Sequence, residues 1–270
     1  MAKLKLEKVA EKIKSASKPV FHPVHKSTSV QSSDPKLKTG IPGLDEILKG
    51  GIREKSAVLV SGGPGTGKTI LAMQFLAEGA RRGEAGMYIL YDTEKEELLD
   101  YAHDLGIDLR KYEGKQLFIV KQPLLVQKTP SLAIPLQLLR DKKIKRVVLD
   151  SLTMFSYVHV TEDRSYRAEI VTFLERMKDI TLVATAEAAG SYFDSISYKP
   201  EDFLFDGIIF LAKIRQEASF ERVLHVAKMR GQEHLMNVYP VSVGEGGMKV
   251  YPDQLPFSLM GRETRFTTKE

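Results

Sequence analysis

Short apolar runs alternate with longer segments of helical spacing through the first two thirds of the chain. The runs show little in–out alternation, which is typical of strands buried on both faces of a parallel sheet. The predicted strands are residues 57–61, 86–91, 117–121, 146–150 and 181–185, and the predicted helices are residues 70–77, 96–105, 132–142 and 164–178. This order predicts an α/β fold, a mostly parallel twisted sheet with helices on both faces.

The last third of the chain has a different pattern. Four apolar runs follow one another with no room for helices between them, at residues 207–211, 222–229, 238–243 and 248–251. Such short connections join antiparallel strands, so these runs are predicted to form C-terminal antiparallel hairpins that extend the sheet. We therefore predict one domain over residues 38–260, preceded by a tail (1–37) and followed by a second tail (261–270).

A glycine-rich turn joins the strand at 57–61 to the helix at 70–77. Residues 62–69 read Gly-Gly-Pro-Gly-Thr-Gly-Lys-Thr, which fits the phosphate-binding pattern G-x-x-x-x-G-K-[ST]. Glycines let backbone N–H groups crowd an anion, and the N-terminus of the next helix adds a favourable dipole. The residues predicted to bind ATP are Gly63, Pro64, Gly65, Thr66, Gly67, Lys68, Thr69 and Ile70. Lys68 is predicted to reach the β- and γ-phosphates and to act in catalysis.

Carboxylates stand at the ends of two predicted strands. Asp150 ends the strand at 146–150, where a carboxylate in an open parallel sheet faces the phosphate loop. Asp150 and the hydroxyl of Thr69 are therefore predicted to hold Mg²⁺. Asp92 and Glu94 follow another strand, where a carboxylate can orient and polarise the attacking water. Glu94 is the first candidate for this catalytic base, and Asp92 is the alternative.

Two cations share one face of a later predicted strand. A period of two places Lys228 and Arg230 side by side within residues 224–231. One interpretation is an exposed strand face. The other is a pair that reaches the nucleotide of a neighbouring subunit, as arginine fingers do, with a contribution on the order of 10³–10⁵ in rate.

Composition and charge exclude several other functions. The chain has 270 residues and no cysteine, which excludes a disulfide framework and a thiolate metal site. No apolar run approaches the roughly 18 residues of a membrane span, and no secretory signal is evident, so a cytoplasmic location is expected. Residues 1–38 carry nine lysines and three acids, a balance of +6, and the remaining 31 basic and 32 acidic residues give −1. The body is therefore close to neutral, which argues against a broad nucleic-acid surface.

The basic tail leaves several interpretations open. Leu6, Val9 and Ile13 fall at helical spacing among lysines, and residues 17–36 are typical of a linker. The segment is a solvated tail, a helix that docks on a protein partner, an anchor for an anionic surface or an arm for nucleic acid.

Taken together, these motifs resemble the KaiC-like ATPases of the RecA superfamily, in particular the single-domain archaeal and bacterial relatives of the circadian-clock protein. The resemblance covers roughly residues 38–255, and it is carried by residues 39–45, 50–52, 62–69, 147–153, 206–211 and 228–231 together with His234. It implies a RecA-like P-loop ATPase core and a homo-oligomer, often a hexameric ring, with Mg²⁺ and ATP at the subunit interfaces. It also implies that Lys228 and Arg230 reach across to the ATP of the neighbour.

The sequence departs from the clock-type pattern in informative ways. Where clock-type members usually have two adjacent glutamates, this chain has Asp92-Thr93-Glu94, similar to the Asp-x-Glu of recombinases, whose glutamate is the base. A clock-type alignment would instead give that role to Asp92. Glu187 follows the fifth strand, where recombinases commonly have glutamine, and it resembles the clock-type group. The clock protein has two ATPase domains and this chain has one, so a timekeeping role does not carry over.

The loop after Glu187 bears on two further activities. It corresponds to the autophosphorylated segment of the clock protein, and Ser191, Ser195 and Ser197 supply hydroxyls there, although flexible loops are often serine-rich. In recombinases the same loop touches DNA, but residues 190–199 hold one lysine and one aspartate, too little positive charge for a strong backbone contact.

These observations lead to one main hypothesis. The chain is predicted to be a Mg²⁺-dependent ATPase of slow turnover that couples nucleotide state to oligomer assembly or partner binding. The alternatives are a DNA-binding recombinase paralogue and an ATP-sensing module that does not hydrolyse its ligand.

Overall fold

The computed structural model describes residues 35–122, 133–159, 166–188, 198–216 and 218–260. The predicted basic tail up to residue 34, the three serines at 191–197 and the tail at 261–270 lie outside these residues. The domain boundaries placed at residues 38 and 260 stay predictions. Within the described part of the chain, no helix is both long enough and apolar enough to cross a bilayer.

Helices and strands follow the order that the hydrophobic pattern indicates. The helices are α1 (Leu44–Ile47), α2 (Lys68–Arg81), α3 (Lys95–Asp104), α4 (Ala133–Asp141), α5 (Leu152–His159), α6 (Tyr166–Met177) and α7 (Phe257–Met260), with short 3₁₀ turns at Arg110–Tyr112 and Pro200–Leu204. The strands are β1 (Lys36–Leu37), β2 (Ile52–Arg53), β3 (Ala57–Gly62), β4 (Gly86–Leu90), β5 (Leu117–Lys121), β6 (Arg146–Asp150), β7 (Thr181–Glu187), β8 (Gly207–Gln216), β9 (Ser219–Met229), β10 (Val238–Gly244) and β11 (Gly247–Val250).

Nine of these strands form one sheet in the order β11-β10-β9-β8-β3-β7-β6-β4-β5. The strands from β8 to β5 in this order pair in parallel, and β9, β10 and β11 add to the sheet as antiparallel neighbours. This topology confirms the predicted mostly parallel sheet, which the last strands of the chain extend as antiparallel neighbours. Strand β3, which leads into the phosphate loop, lies near the centre, between β7 and β8.

Successive residues of the central strands point to opposite faces of the sheet, and each face carries its own core. On one face Val58, Tyr88 and Val148 pack with apolar residues of α2 and α3. On the other face Leu59, Met87 and Leu149 pack with apolar residues of α5 and α6. Burial on both faces explains why these strands are continuous apolar runs in the sequence.

The bounds of several elements differ from the predicted ones; β8, for example, runs to Gln216, five residues beyond its predicted end. Helix α2 runs from Lys68 to Arg81, four residues beyond the predicted end. Helix α5, at Leu152–His159, was not predicted, because its eight residues directly follow a strand and continue the apolar pattern of that strand. Thr153 therefore lies in the first turn of this helix.

Arg146 ties the opening segment of the domain to the amino end of β6. Its side chain is fully buried, and its Nε donates a hydrogen bond to Oε2 of Glu84 at 2.7 Å. Its Nη1 donates to the carbonyls of Lys38 (2.7 Å) and Phe75 (2.9 Å). The guanidinium also lies over the ring of Phe75, 4.7 Å from its centroid. A single side chain thus connects β6, α2 and the chain before α1.

Candidate nucleotide-binding site

The phosphate loop is held in shape by its own residues. Gly65 and Gly67 have φ values of 67° and 107°, a backbone conformation that favours glycine. The hydroxyl of Thr66 donates to the carbonyl of Gly63 at 2.9 Å. Nζ of Lys68 donates to the carbonyls of Gly62 (2.9 Å) and Gly63 (3.0 Å), so the ammonium group lies against the loop. Partial burial lowers the pKa of Lys68, while the carboxylates of Glu187 and Asp150 oppose that shift.

Asp150 lies directly beside Thr69, as the sequence predicts. Its side chain is 8% exposed, and its Oδ2 accepts a hydrogen bond from the Thr69 hydroxyl at 3.0 Å. One hydroxyl and one carboxylate suit Mg²⁺, because this ion keeps several waters and takes its remaining ligands from the phosphates of the nucleotide. Among the described residues, no group of three His, Cys, Asp or Glu side chains could hold a metal ion unaided. The donor set therefore fits Mg²⁺ that arrives with a nucleotide.

Two further hydroxyls contact the same carboxylate. Strand β6 lies between β4 and β7, so Asp150 has Tyr88 on one side and Thr185 on the other. The Tyr88 hydroxyl donates to Oδ2 of Asp150 at 2.7 Å, and the Thr185 hydroxyl donates to Oδ1. These contacts depend on which strands are neighbours, so no local pattern in the sequence predicts them.

The two candidate bases occupy different surroundings. The Asp92 side chain is exposed to solvent, but the surrounding protein removes part of its hydration. This desolvation raises the pKa of Asp92, and the negative charges of Asp150 and Glu187 raise it further. The Ser151 hydroxyl lies 3.5 Å from Oδ2 of Asp92. Glu94 is the residue that precedes α3, and its side chain is 68% exposed.

Lys121 fixes the segment that carries both acids. Its Nζ donates to the carbonyls of Tyr91 (2.9 Å) and Thr93 (2.8 Å) and forms an ion pair with Oε1 of Glu94 at 3.2 Å. Glu94 thus forms an ion pair with Lys121. The charge of Lys121 also lowers the pKa of Asp92, but desolvation and the charges of Asp150 and Glu187 raise it by more.

A cleft of about 410 Å³ opens beside the phosphate loop. Its lining comes from the start of α2, from α3 and from the turn between β4 and α3: Gly65, Gly67, Lys68, Thr69, Ile70, Thr93, Glu97, Leu98 and Tyr101. The Tyr101 ring is 44% exposed, so it presents an open aromatic surface to the cleft. The cleft therefore combines the polar phosphate loop with the aromatic surface of Tyr101 on α3.

Two cations from the β8–β9 hairpin lie beside the same loop. Lys213 and Arg222 are register partners across the hairpin. Nε of Arg222 donates to the carbonyl of Gly65 at 3.2 Å, and Nζ of Lys213 lies 2.8 Å from where a Cβ on Gly65 would stand. Like charges placed directly opposite each other destabilise a sheet, so this pair suits a site that receives an anion. Sequence reasoning missed both residues, because their closeness to the loop depends on the pairing of β8 with β3 and β9.

Lys228 and Arg230 lie far from the phosphate loop of their own chain. Strand β9 runs antiparallel to β8, and Leu224 pairs with Leu211, which in turn pairs with Gly62 at the start of the loop. Lys228 follows four residues later, about 13 Å along the strand, and pairs with Ile208. Nζ of Lys228 donates to the carbonyl of Phe205 at 2.6 Å, near the amino end of β8 and away from the phosphate loop.

A β-bulge sets the direction of these two cations. The register shifts between Ile208 and Ile209, which leaves Ala227 as an extra residue in β9. Val226 and Met229 consequently belong to the same core, and Lys228 points to the other face of the sheet. Nη2 of Arg230 donates to the carbonyl of Phe203 at 3.2 Å on that face. Burial lowers the pKa of Lys228, and the nearby charge of Arg230 lowers it further.

Two relatives are similar to most of the chain. A UPF0273 protein of Pyrococcus furiosus is 33% identical over 244 residues, which is 82% of this chain and 95% of that protein. The circadian clock oscillator protein KaiC of Prochlorococcus marinus is 30% identical over 246 residues, 83% of this chain and 47% of the clock protein. The chain thus spans about half the length of the clock protein.

A solved structure and a family model agree with these relatives. The crystal structure of a KaiC-like protein from Pyrococcus horikoshii superposes with a TM-score of 0.71 at 31% identity, covering 81% of this chain and all of that one. A family model described as "ATPase: KaiC" matches residues 37–255. On this evidence the chain belongs to the KaiC-like ATPase family and has its RecA-like fold.

Proposed function

We propose that this chain binds ATP with Mg²⁺, hydrolyses it slowly and couples the nucleotide state to assembly with other copies of itself. The observation that carries the proposal is the contact between the Thr69 hydroxyl and Asp150, 3.0 Å apart, at the end of a loop that holds Lys68. In a chain of this ATPase family, that arrangement is the one that receives a metal-bound triphosphate.

The cleft sets the direction of the nucleotide. The loop residues 63–70 bind the phosphates through their N–H groups, and Lys68 balances the charge of the outer two. Thr69 and Asp150 are the residues that would hold Mg²⁺, which supplies charge neutralisation at the β- and γ-phosphates when it is bound. The nucleobase lies at the α3 end of the cleft, where the exposed ring of Tyr101 offers a stacking surface.

Asp92 is the residue we assign to the attacking water. The sequence favours Glu94, but Glu94 is paired with Lys121, while desolvation and the charge of the metal-binding carboxylate Asp150 raise the pKa of Asp92. Near neutral pH, a carboxylate with a raised pKa accepts a proton from water more readily than an ordinary carboxylate does. Asp92 therefore holds the water and accepts its proton.

Lys228 and Arg230 complete the site from the next subunit. They lie at the opposite edge of the sheet from the loop, so one chain cannot bring both halves together. A head-to-tail assembly places the amino edge of one sheet against the loop of the next copy, and such an assembly closes into a ring when its rotation allows. We propose the hexameric ring that the family resemblance implies. Because ATP then bridges two subunits, its binding stabilises the assembly by mass action.

Two substitutions separate binding from hydrolysis. Lys68→Ala is expected to abolish ATP binding, measured by titration with a fluorescent ATP analogue. Arg230→Ala is expected to bind ATP as the native protein does but to release phosphate at least 10³-fold more slowly, since the finger acts on the transition state. Arg176→Ala, at an exposed arginine of α6, is the control and should change neither quantity. Native hydrolysis by the Arg230→Ala protein would reject the role of the neighbour.

A further inference from the structure

The carboxylate of Asp150 is enclosed by hydroxyl groups from three elements. Thr69 of α2 and Tyr88 of β4 both donate to Oδ2, at 3.0 Å and 2.7 Å, and Thr185 of β7 donates to Oδ1. An ionised carboxylate has about four acceptor positions. These three hydrogen bonds therefore fix the plane of the Asp150 side chain and leave little freedom to turn.

Tyr88 differs from the two threonines in its surroundings. Its side chain has no exposed surface, and its ring packs in the core between the sheet and α2. The ring position is set by packing, so its hydroxyl is held at one point beside Asp150. A tyrosine hydroxyl is protonated near neutral pH, so it acts as a hydrogen-bond donor to Asp150.

The Thr69 hydroxyl has two possible partners. It donates to Asp150 here, and it is also the hydroxyl that the phosphate-loop motif assigns to Mg²⁺. When Thr69 is engaged by the nucleotide complex, Tyr88 and Thr185 are the described hydroxyls that still hold Asp150.

We propose that Tyr88 is a positioning residue for the metal-bound nucleotide: its hydroxyl holds the Asp150 carboxylate in the orientation that accepts Mg²⁺. The inference rests on the proposed function, since it assumes that ATP arrives with this ion. It assigns Tyr88 a role in metal-dependent affinity and none in contact with the nucleotide itself.

The test compares ATP affinity with Mg²⁺ and with EDTA in the native protein, in Tyr88→Phe and in Tyr91→Phe. Tyr91 is the matched control because it too is fully buried, three residues along the chain, but its side chain belongs to the core on the other face of the sheet. Tyr88→Phe is expected to reduce the Mg²⁺-dependent gain in affinity about tenfold, the loss typical of one hydrogen bond to a charged group. Its affinity in EDTA should stay native, and Tyr91→Phe should keep the full gain.

The outcomes separate this inference from the proposed function. If Mg²⁺ does not change the ATP affinity of the native protein, both are overturned. If the native protein shows the gain and Tyr88→Phe keeps it in full, the role of Tyr88 alone is overturned. Equal losses with Mg²⁺ and with EDTA would mean that Tyr88 only supports the fold, which also overturns the inference. Tyr88→Met, which lacks the hydroxyl too, is the second variant if Tyr88→Phe does not fold.

Discussion

Replacing Arg146 by methionine should destabilise the domain more than any substitution of an exposed arginine. The change removes the cation but keeps an unbranched apolar side chain in the same space. It leaves the carboxylate of Glu84, whose side chain is only 19% exposed, without its partner. It also leaves the carbonyls of Lys38 and Phe75 without the hydrogen bonds that Nη1 donates.

The expected loss is about 3–5 kcal/mol, the range for removing one partner of a buried ion pair. For a domain of this size, each kcal/mol lowers Tm by about 2–4 °C, so Tm should fall by about 6–20 °C. The matched control is Arg81→Met. Arg81 pairs with Glu78 at 2.9 Å but is 62% exposed, so its loss should stay within about 1 kcal/mol.

Urea unfolding followed by circular dichroism measures both losses. Replacing Glu84 by leucine in the Arg146→Met protein should recover part of the stability, because the unpaired carboxylate is then removed as well. A loss below about 1 kcal/mol for Arg146→Met would refute the reasoning. It would mean that water reaches Glu84 and that Arg146 does not fasten the opening segment to the sheet.

Asp92→Asn should lower kcat by about 10²–10⁴-fold, while Glu94→Gln should stay close to native in a phosphate-release assay. The pKa of Asp92 is raised above its usual 3.8, so native kcat/KM should fall as the pH decreases through that raised value. Asp92→Asn should lose this fall in kcat/KM at acidic pH. A fall that persists in the variant would contradict the assignment. Gln74→Leu should cost about 2–4 kcal/mol in urea unfolding, because the Gln74 amide donates to the carbonyls of Gly246 and Met248 (3.2 and 3.1 Å) and accepts from the N–H of Met248 (2.8 Å). A native-like midpoint for Gln74→Leu would show that water replaces these contacts at the edge strand β11.

The sequence was sufficient wherever one local pattern decides the structure. The glycines and Lys68 identify the phosphate loop from its local sequence alone. The apolar run before Asp150 is typical of a buried strand. From these the contact between Thr69 and Asp150 followed, because the carboxyl ends of parallel strands meet at one edge of a sheet.

Contacts that depend on strand order were beyond reach. Tyr88 and Thr185 flank Asp150 only because β6 lies between β4 and β7, and Arg222 reaches Gly65 only because β8 and β9 lie beside β3. The periodicity placed Lys228 and Arg230 on one face but could not identify which face, since the bulge at Ala227 depends on pairing with β8.

Mixing two inactive variants tests the central claim most directly. Lys68→Ala lacks a working phosphate loop but keeps Arg230, and Arg230→Ala keeps the loop but lacks the finger. In a head-to-tail ring assembled from equal amounts of both, about a quarter of the sites combine an intact loop with an intact Arg230 from the next subunit. We predict that each variant alone is inactive and that the mixture regains about a quarter of native phosphate release. A mixture that stays as inactive as its components would contradict an ATP site shared between two subunits.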